Sequence, residues 1–201
     1  MLTRRTLLVS ATATAALVSL PLHAWAAPDP QAARAFVQQT GQALVNAVNG
    51  GGTEAQRRDQ VVAIIERTVD IPGIARFCLG QHWRRATPQQ QQEYVELFHK
   101  VLINNIAGNL GSYRGVTFSL GGARPNEGAI WVDSVVNRPN QAPANVVWVV
   151  DNSAGAMKII DVRAEGTSLR LTQRSDYMSF ISRNNGSVQA LIDAIRRQVG
   201  G

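Results

Sequence analysis

The apolar spacing of this chain changes once. As far as Tyr113, apolar side chains recur every three or four positions; from Gly115 they recur every second position. A 3.6-residue stripe and a two-residue alternation cannot share one element, so the chain reads as α+β, with helices first and a sheet after them. The first part predicts helices over residues 32–48, with Phe36, Val37, Leu44, Val45 and Val48 inward, over 53–69, and over 73–79, each closed by Gly or by Asp-Ile-Pro. A much longer helix is predicted over 87–113. In the second part, Val116, Phe118 and Leu120 alternate with polar neighbours, and strands follow at 129–137, 145–151 and 157–165, separated by loops at 121–128 and 138–143 and a tight turn at 152–155. Such short connections exclude parallel crossovers, so four strands form an antiparallel meander. Gly166-Thr167-Ser168 caps a helix reaching Arg183, and Val188, Leu191, Ile192, Ile195 and Val199 mark a last one.

The long helix has a clear beginning. Thr87 stands at the N-cap, Pro88 at the first helical position and Gln90 three residues after the cap, the pattern of a capping box. Tyr94, Leu97, Phe98, Val101, Leu102, Ile106, Leu110 and Tyr113 then draw one stripe along one face. About 25 helical residues would reach ~37 Å, so this stripe needs a large apolar partner. Ile130-Trp131-Val132 and Val146 to Val150 are apolar on both strand faces, where a half-exposed sheet would alternate. Either both sides of the sheet are covered or one side lines a cavity. The expected architecture is therefore N-terminal helices and a long amphipathic helix packed on a four-stranded antiparallel sheet, closed by C-terminal helices, with an internal apolar cavity.

The N-terminus carries Arg4 and Arg5 ahead of an apolar run ending in Ala24-Trp25-Ala26, the layout of an export signal spanning 1–26 and cleaved before Ala27. Thr3-Arg4-Arg5-Thr6-Leu7-Leu8 suits a twin-arginine signal, and the run after it suits the general secretory route equally. Residues 27–201, about 175, make one domain. Cys78 is the one cysteine and reads as a buried thiol. The formal charge of +6 includes Arg4 and Arg5, and Lys100 and Lys158 are the only lysines. No aromatic residues interleave with a basic cluster, which argues against a nucleic-acid face. No G-x-x-x-x-G-K-[ST], G-x-G-x-x-G after a strand, or G-x-S-x-G occurs, so nucleotide and hydrolase chemistry lack their usual frames. Cys78, His82 and His99 offer too few ligands for zinc. Asp133, Asp151, Asp161 and Tyr94 could supply an acid/base pair in a cone-shaped cavity, but nothing in their spacing requires it. The expectation is of no enzyme, no metal and no cofactor.

Two stretches carry a resemblance. Residues 70–90, Asp-Ile-Pro-Gly-Ile-Ala-Arg-Phe-Cys-Leu-Gly-Gln-His-Trp-Arg-Arg-Ala-Thr-Pro-Gln-Gln, contain Leu-Gly-x-x-Trp-x-x-Ala-Thr-Pro-x-Gln. Residues 160–169, Ile-Asp-Val-Arg-Ala-Glu-Gly-Thr-Ser-Leu, followed by Arg174-Ser175-Asp176-Tyr177, form the second. Both resemble the MlaC family of periplasmic lipid carriers, which includes the hopanoid-associated HpnM branch. Met157, Gln173 and Tyr177 stand where the family often has Trp, Tyr and Phe. The resemblance implies a monomeric periplasmic shuttle taking phospholipid, or a hopanoid-type lipid, between an outer-membrane lipoprotein component and an inner-membrane ABC transporter complex, with bound lipid as cargo.

Read with that resemblance, the lipid-facing set is Phe98, Leu102, Ile106, Leu110 and Tyr113 from the long helix, Ile74 and Phe77 from the short one, Trp131, Val147 and Val149 from the sheet, and Tyr177 and Phe180 from the C-terminal helix. Taken singly, each serves equally well as ordinary core. Arg174 and Arg114 are the candidates to meet a headgroup phosphate; an ion pair with Asp161, Glu165 or Asp176 competes and is the favoured reading.

Overall fold

The computed structural model describes residues 29–108, 110–152 and 155–200. The export signal expected over 1–26 and the middle of the turn expected at 152–155 lie outside the described residues. Among the described residues the order is α1 (Pro30–Asn49), α2 (Glu54–Thr68), α3 (Ile71–Leu79), a 3₁₀ turn (Gly80–Arg85), α4 (Pro88–Ala107), a second 3₁₀ turn (Leu110–Tyr113), β1 (Thr117–Asn126), β2 (Ala129–Asn137), β3 (Ala144–Asp151), β4 (Lys158–Ala164), β5 (Thr167–Ser168), α5 (Leu169–Arg183) and α6 (Val188–Gly200). The α+β class and the meander hold. The strand count is five rather than four, in the order β1-β2-β3-β4-β5.

The helix starts follow local chemistry. Asp29, Thr53, Asp70, Thr87 and Ser168 each accept a backbone N–H with their side chains, and Thr53/Gln56 and Thr87/Gln90 complete capping boxes. The helix expected over 87–113 is interrupted. α4 stops at Ala107, the Gly108 N–H bonds the Asn104 carbonyl at 2.8 Å, and the chain resumes as the 3₁₀ turn that buries Leu110. Gly108 and Gly111 each cost a helix about 1 kcal/mol relative to Ala, which favours ending it before Leu110, the stripe residue the 3₁₀ turn then buries.

Strand β1 runs through residues 121–126, where the composition suggested a loop. A bulge between Leu120 and Ala123 absorbs the two glycines. Glu127 and Gly128, at φ 51° and 79°, then make a two-residue hairpin turn whose twist matches the strands. Glu165 and Gly166 repeat that geometry, φ 48° and 79°, and return β4 into the short β5.

The register separates the two faces of the sheet. Ile130 lies opposite Val150, and Val132 opposite Trp148; with Ala33 and Val37 of α1 they form one apolar cluster. The Trp148 Nε1–H donates to Ser134 Oγ at 2.9 Å, and its ring meets Phe118 edge-on at 6.2 Å. Helix α1 lies close here: a Cβ on Gly41 would stand 2.6 Å from the Phe118 ring. It is thus α1 that covers the sheet. Helix α4 packs instead against α6 and α3, inside a second, larger cluster to which every helix contributes, including Ala47 and Val48 at the end of α1. At its centre Tyr94 is fully buried and donates to the Ala75 carbonyl at 3.0 Å, with Phe98 and Tyr177 around its ring at 6.0 and 6.1 Å. Contacts of Glu93 with Arg196, and of Gln90 with Gln189 at 3.1 Å, tie α4 to α6 at the surface.

Candidate functional site

The two sequence stretches that carried the resemblance meet in space. The first supplies α3 and the turn after it; the second supplies β4, β5 and the start of α5. Asp161, buried on β4, accepts from Ser168 Oγ at 2.6 Å, from the Arg170 N–H at 3.1 Å and from the Val162 N–H at 2.9 Å. Its carboxylate also lies 3.7 Å from Arg170 Nε, so this acid fixes where α5 begins. Arg170 and Arg174, one turn apart on α5, then lay their guanidinium groups over the Phe77 ring at 4.5 and 4.8 Å. Arg174 Nη1 donates to the Phe77 carbonyl at 2.9 Å. That carbonyl is in the last turn of α3, where a cation complements the helix dipole. The Cys78 Sγ–H donates to the Arg170 carbonyl at 3.5 Å, and burial pushes that thiol up to about 12, with Arg174 and Arg170 pulling the other way.

Gly80 makes this approach possible. It sits at φ 56° and ψ −132°, and a Cβ there would stand 3.0 Å from Arg174 Nη2. Beyond it opens a cleft of about 750 Å³, lined by Arg76, Phe77, Trp83, Arg84, Arg85 and Arg174, together with Gly73, Gly80 and Gln81. Arg76 stacks over Trp83 at 5.7 Å, and the Trp83 carbonyl accepts from Gln91 Nε2 at 2.8 Å, which fastens the turn to α4. The lining offers guanidinium groups and aromatic faces, with no carboxylate, imidazole, thiol or hydroxyl among its side chains. Its chemistry is that of holding an anion beside an apolar wall.

The lipid-facing set expected from sequence divides by exposure. Phe98, Leu110, Val149 and Tyr177 are buried, and Phe98 and Tyr177 meet edge-on at 6.3 Å, so this part of the stripe is closed by the protein's own rings. Burial raises the Tyr94 and Tyr177 phenols well above their ordinary range. Ile74, Phe77, Leu102, Ile106 and Phe180 are half-buried at the margin of the helical cluster, and Tyr113 is exposed. Phe77 alone of the set lines the cleft. Trp131, Val147 and Val149 share the sheet face turned away from α1 and belong to neither apolar cluster. That face is not purely apolar. Trp131 lies between Arg124 and Arg163, at 5.8 and 4.8 Å, and Arg124 pairs with Asp133.

For Arg174, the favoured ion pair does not form. Its partners are the Phe77 carbonyl and ring, because Ser168 and Arg170 already engage Asp161. Arg114 is elsewhere, exposed beside the end of α1, where it donates to the Gly50 carbonyl at 3.4 Å. Arg76, Trp83, Arg84, Arg85 and Arg170 were not singled out from sequence; the crowding of Arg76, Arg84 and Arg85 around one tryptophan was the available signal. His82 is buried in the 3₁₀ turn, and His99 faces Glu66 at 3.0 Å. Among the described residues no group of three or more His, Cys, Asp or Glu side chains is placed to hold a metal ion. No helix among them is long and apolar enough to cross a membrane.

A helical body joined to an antiparallel sheet, with an arginine- and aromatic-lined cleft among α3, the turn after it and α5, offers a surface suited to binding. The chain belongs to the MlaC family: the family described as MlaC protein matches residues 34–197. It is similar to the toluene tolerance protein ttg2D of Pseudomonas putida, 25% identical over 137 residues, which span 67% of this chain and 64% of that relative's length. Among solved structures it resembles the phospholipid-binding protein of Ralstonia solanacearum in complex with a phospholipid. There the TM-score is 0.71 and the identity 26%, covering 84% of this chain and 99% of the other.

Proposed function

We propose that this protein is a periplasmic phospholipid carrier, exported by its N-terminal signal, and that it acts by binding rather than by catalysis. The observation that carries the reading is the junction of the two resemblance-bearing stretches at Phe77, where an apolar cluster adjoins an arginine-lined cleft. A phospholipid needs both surfaces together. Family membership and the Ralstonia protein, whose structure contains a phospholipid, support the same assignment.

Two acyl chains hold roughly 30 methylenes at ~0.8 kcal/mol each, so leaving a bilayer costs on the order of 20 kcal/mol unless the carrier offers comparable apolar surface. Half-buried Ile74, Phe77, Leu102, Ile106 and Phe180 are the side chains with area still to cover. With no nucleotide-binding frame in the sequence, the energy for directed transfer comes from a partner, an inner-membrane ABC transporter complex on one side, with an outer-membrane lipoprotein component on the other. The test is native mass spectrometry of protein purified without detergent, followed by lipid extraction. A co-purified phospholipid is the expected result. A terpenoid lipid would change the cargo, and recovery of no lipid would overturn the carrier assignment.

A further inference from the structure

We propose that the cleft between α3 and α5 is a headgroup site that selects a net-anionic phosphate ester, so that the preferred cargo is an acidic phospholipid rather than a zwitterionic one. This rests on the carrier assignment and narrows it. Four arginines, Arg76, Arg84, Arg85 and Arg174, line the cleft without a carboxylate among them, and none belongs to an ion pair among the described residues. The nearby Arg170 is different, being held by Asp161 behind the Phe77 ring. A phosphate in the cleft therefore meets unneutralised guanidinium groups, which bind it through forked, charge-assisted hydrogen bonds.

The aromatic faces decide against a second, positive group on the headgroup. An ammonium or choline group is ordinarily received by a carboxylate or by a ring face. Here Trp83 is covered by Arg76 at 5.7 Å, and Phe77 by Arg170 and Arg174 at 4.5 and 4.8 Å. A zwitterionic headgroup would thus bring its cation among four like charges with no carboxylate to receive it, a repulsive element of the kind that sets specificity. Arg174 is also held in place before any ligand arrives. One nitrogen is committed to the Phe77 carbonyl, and Gly80 leaves room for the rest of the guanidinium at the cleft wall. Phe77 belongs both to the cleft and to the helical cluster, so a headgroup seated here places its glycerol at the apolar margin.

The experiment offers delipidated protein separate vesicles of phosphatidylglycerol and of phosphatidylcholine with matched acyl chains, and quantifies protein-bound lipid after separation. Phosphatidylglycerol should load at least ~10-fold better at low salt, with the preference shrinking at ~0.5 M NaCl. The double variant Arg76→Gln/Arg84→Gln changes two exposed side chains of the cleft; it should remove most of the preference by lowering phosphatidylglycerol loading several-fold more than phosphatidylcholine loading. Arg174→Lys should retain the charge and lose part of the preference, because the fork is gone. Equal loading of the two lipids, or equal losses of both in the variants, would overturn the headgroup site while leaving the carrier intact. No loading of either would overturn the carrier and this site with it. A competition arm with inorganic phosphate and with deacylated glycerophosphoglycerol separates the sources. If free phosphate alone saturates the cleft at micromolar concentration and does not compete with lipid, the site serves phosphate and the proposal fails.

Discussion

Cys78 is fully buried with its thiol hydrogen directed at the Arg170 carbonyl, and its acidity is shifted from an ordinary 9.0 to about 12 by burial. The native state holds this proton more tightly than the unfolded chain does. Its contribution to stability is therefore whole below pH 9 and disappears as pH climbs from 9 toward 12. Native protein should resist alkylation by iodoacetamide at pH 8, and protein in urea should react at the rate of a free thiol; comparable rates in both states would show that Cys78 is accessible. At Gly80 the constraint is steric. Gly80→Ala forces a side chain into a backbone region that L residues avoid, costing about 1–3 kcal/mol, and its Cβ presses on Arg174. Denaturant unfolding should report the first effect. Loss of preference between vesicle-borne lipids should report the second, since only a displaced guanidinium would change it.

At the scale of elements, α4 mixes two kinds of position on one stripe. Phe98 is enclosed by Tyr94 and Tyr177, and Phe98→Ala should cost about 3–5 kcal/mol of stability, seen as a lower urea midpoint. Leu102 is half-buried one turn on. Leu102→Asp should leave a cooperative transition in place while lowering the lipid recovered from purified protein; loss of folding instead would make Leu102 plain core. Spacing alone could not divide this stripe, because Phe98 and Leu102 obey the same period and differ only in what closes over them. Period did give the helices, the caps at Thr87 and Gln90, and the meander, since those depend on neighbours in sequence. It failed at residues 121–126, where Gly-Gly and Pro suggested a loop and a bulge kept the strand going. That error hid Arg124, and with it the cationic flanks of Trp131. It failed also at Arg174, whose partner depends on Ser168 and Arg170 having taken Asp161 first. The cleft was legible only as two motifs, and nothing local in either says that they touch.

For the molecule as a whole, the two apolar clusters give lipid binding a thermodynamic signature. A cargo that binds only the folded state stabilises it by about 2.7 kcal/mol when present at a hundred times its dissociation constant. For a chain of this size that corresponds to roughly 5–10 °C in Tm, to be read by scanning calorimetry on loaded and delipidated samples. Identical transitions would mean that the cargo does not bind the folded state in preference to the unfolded chain. Helix α6 adds a constraint of a different kind. Its Leu191, Ile192 and Ile195 complete the helical cluster, and it is the main partner of α4 although about 80 residues separate the two helices in sequence. Loop closure over that distance delays the reward for packing α4 against α6. Removing α6 would uncover the face of α4 that Leu191, Ile192 and Ile195 cover, so that face depends on a partner distant in sequence.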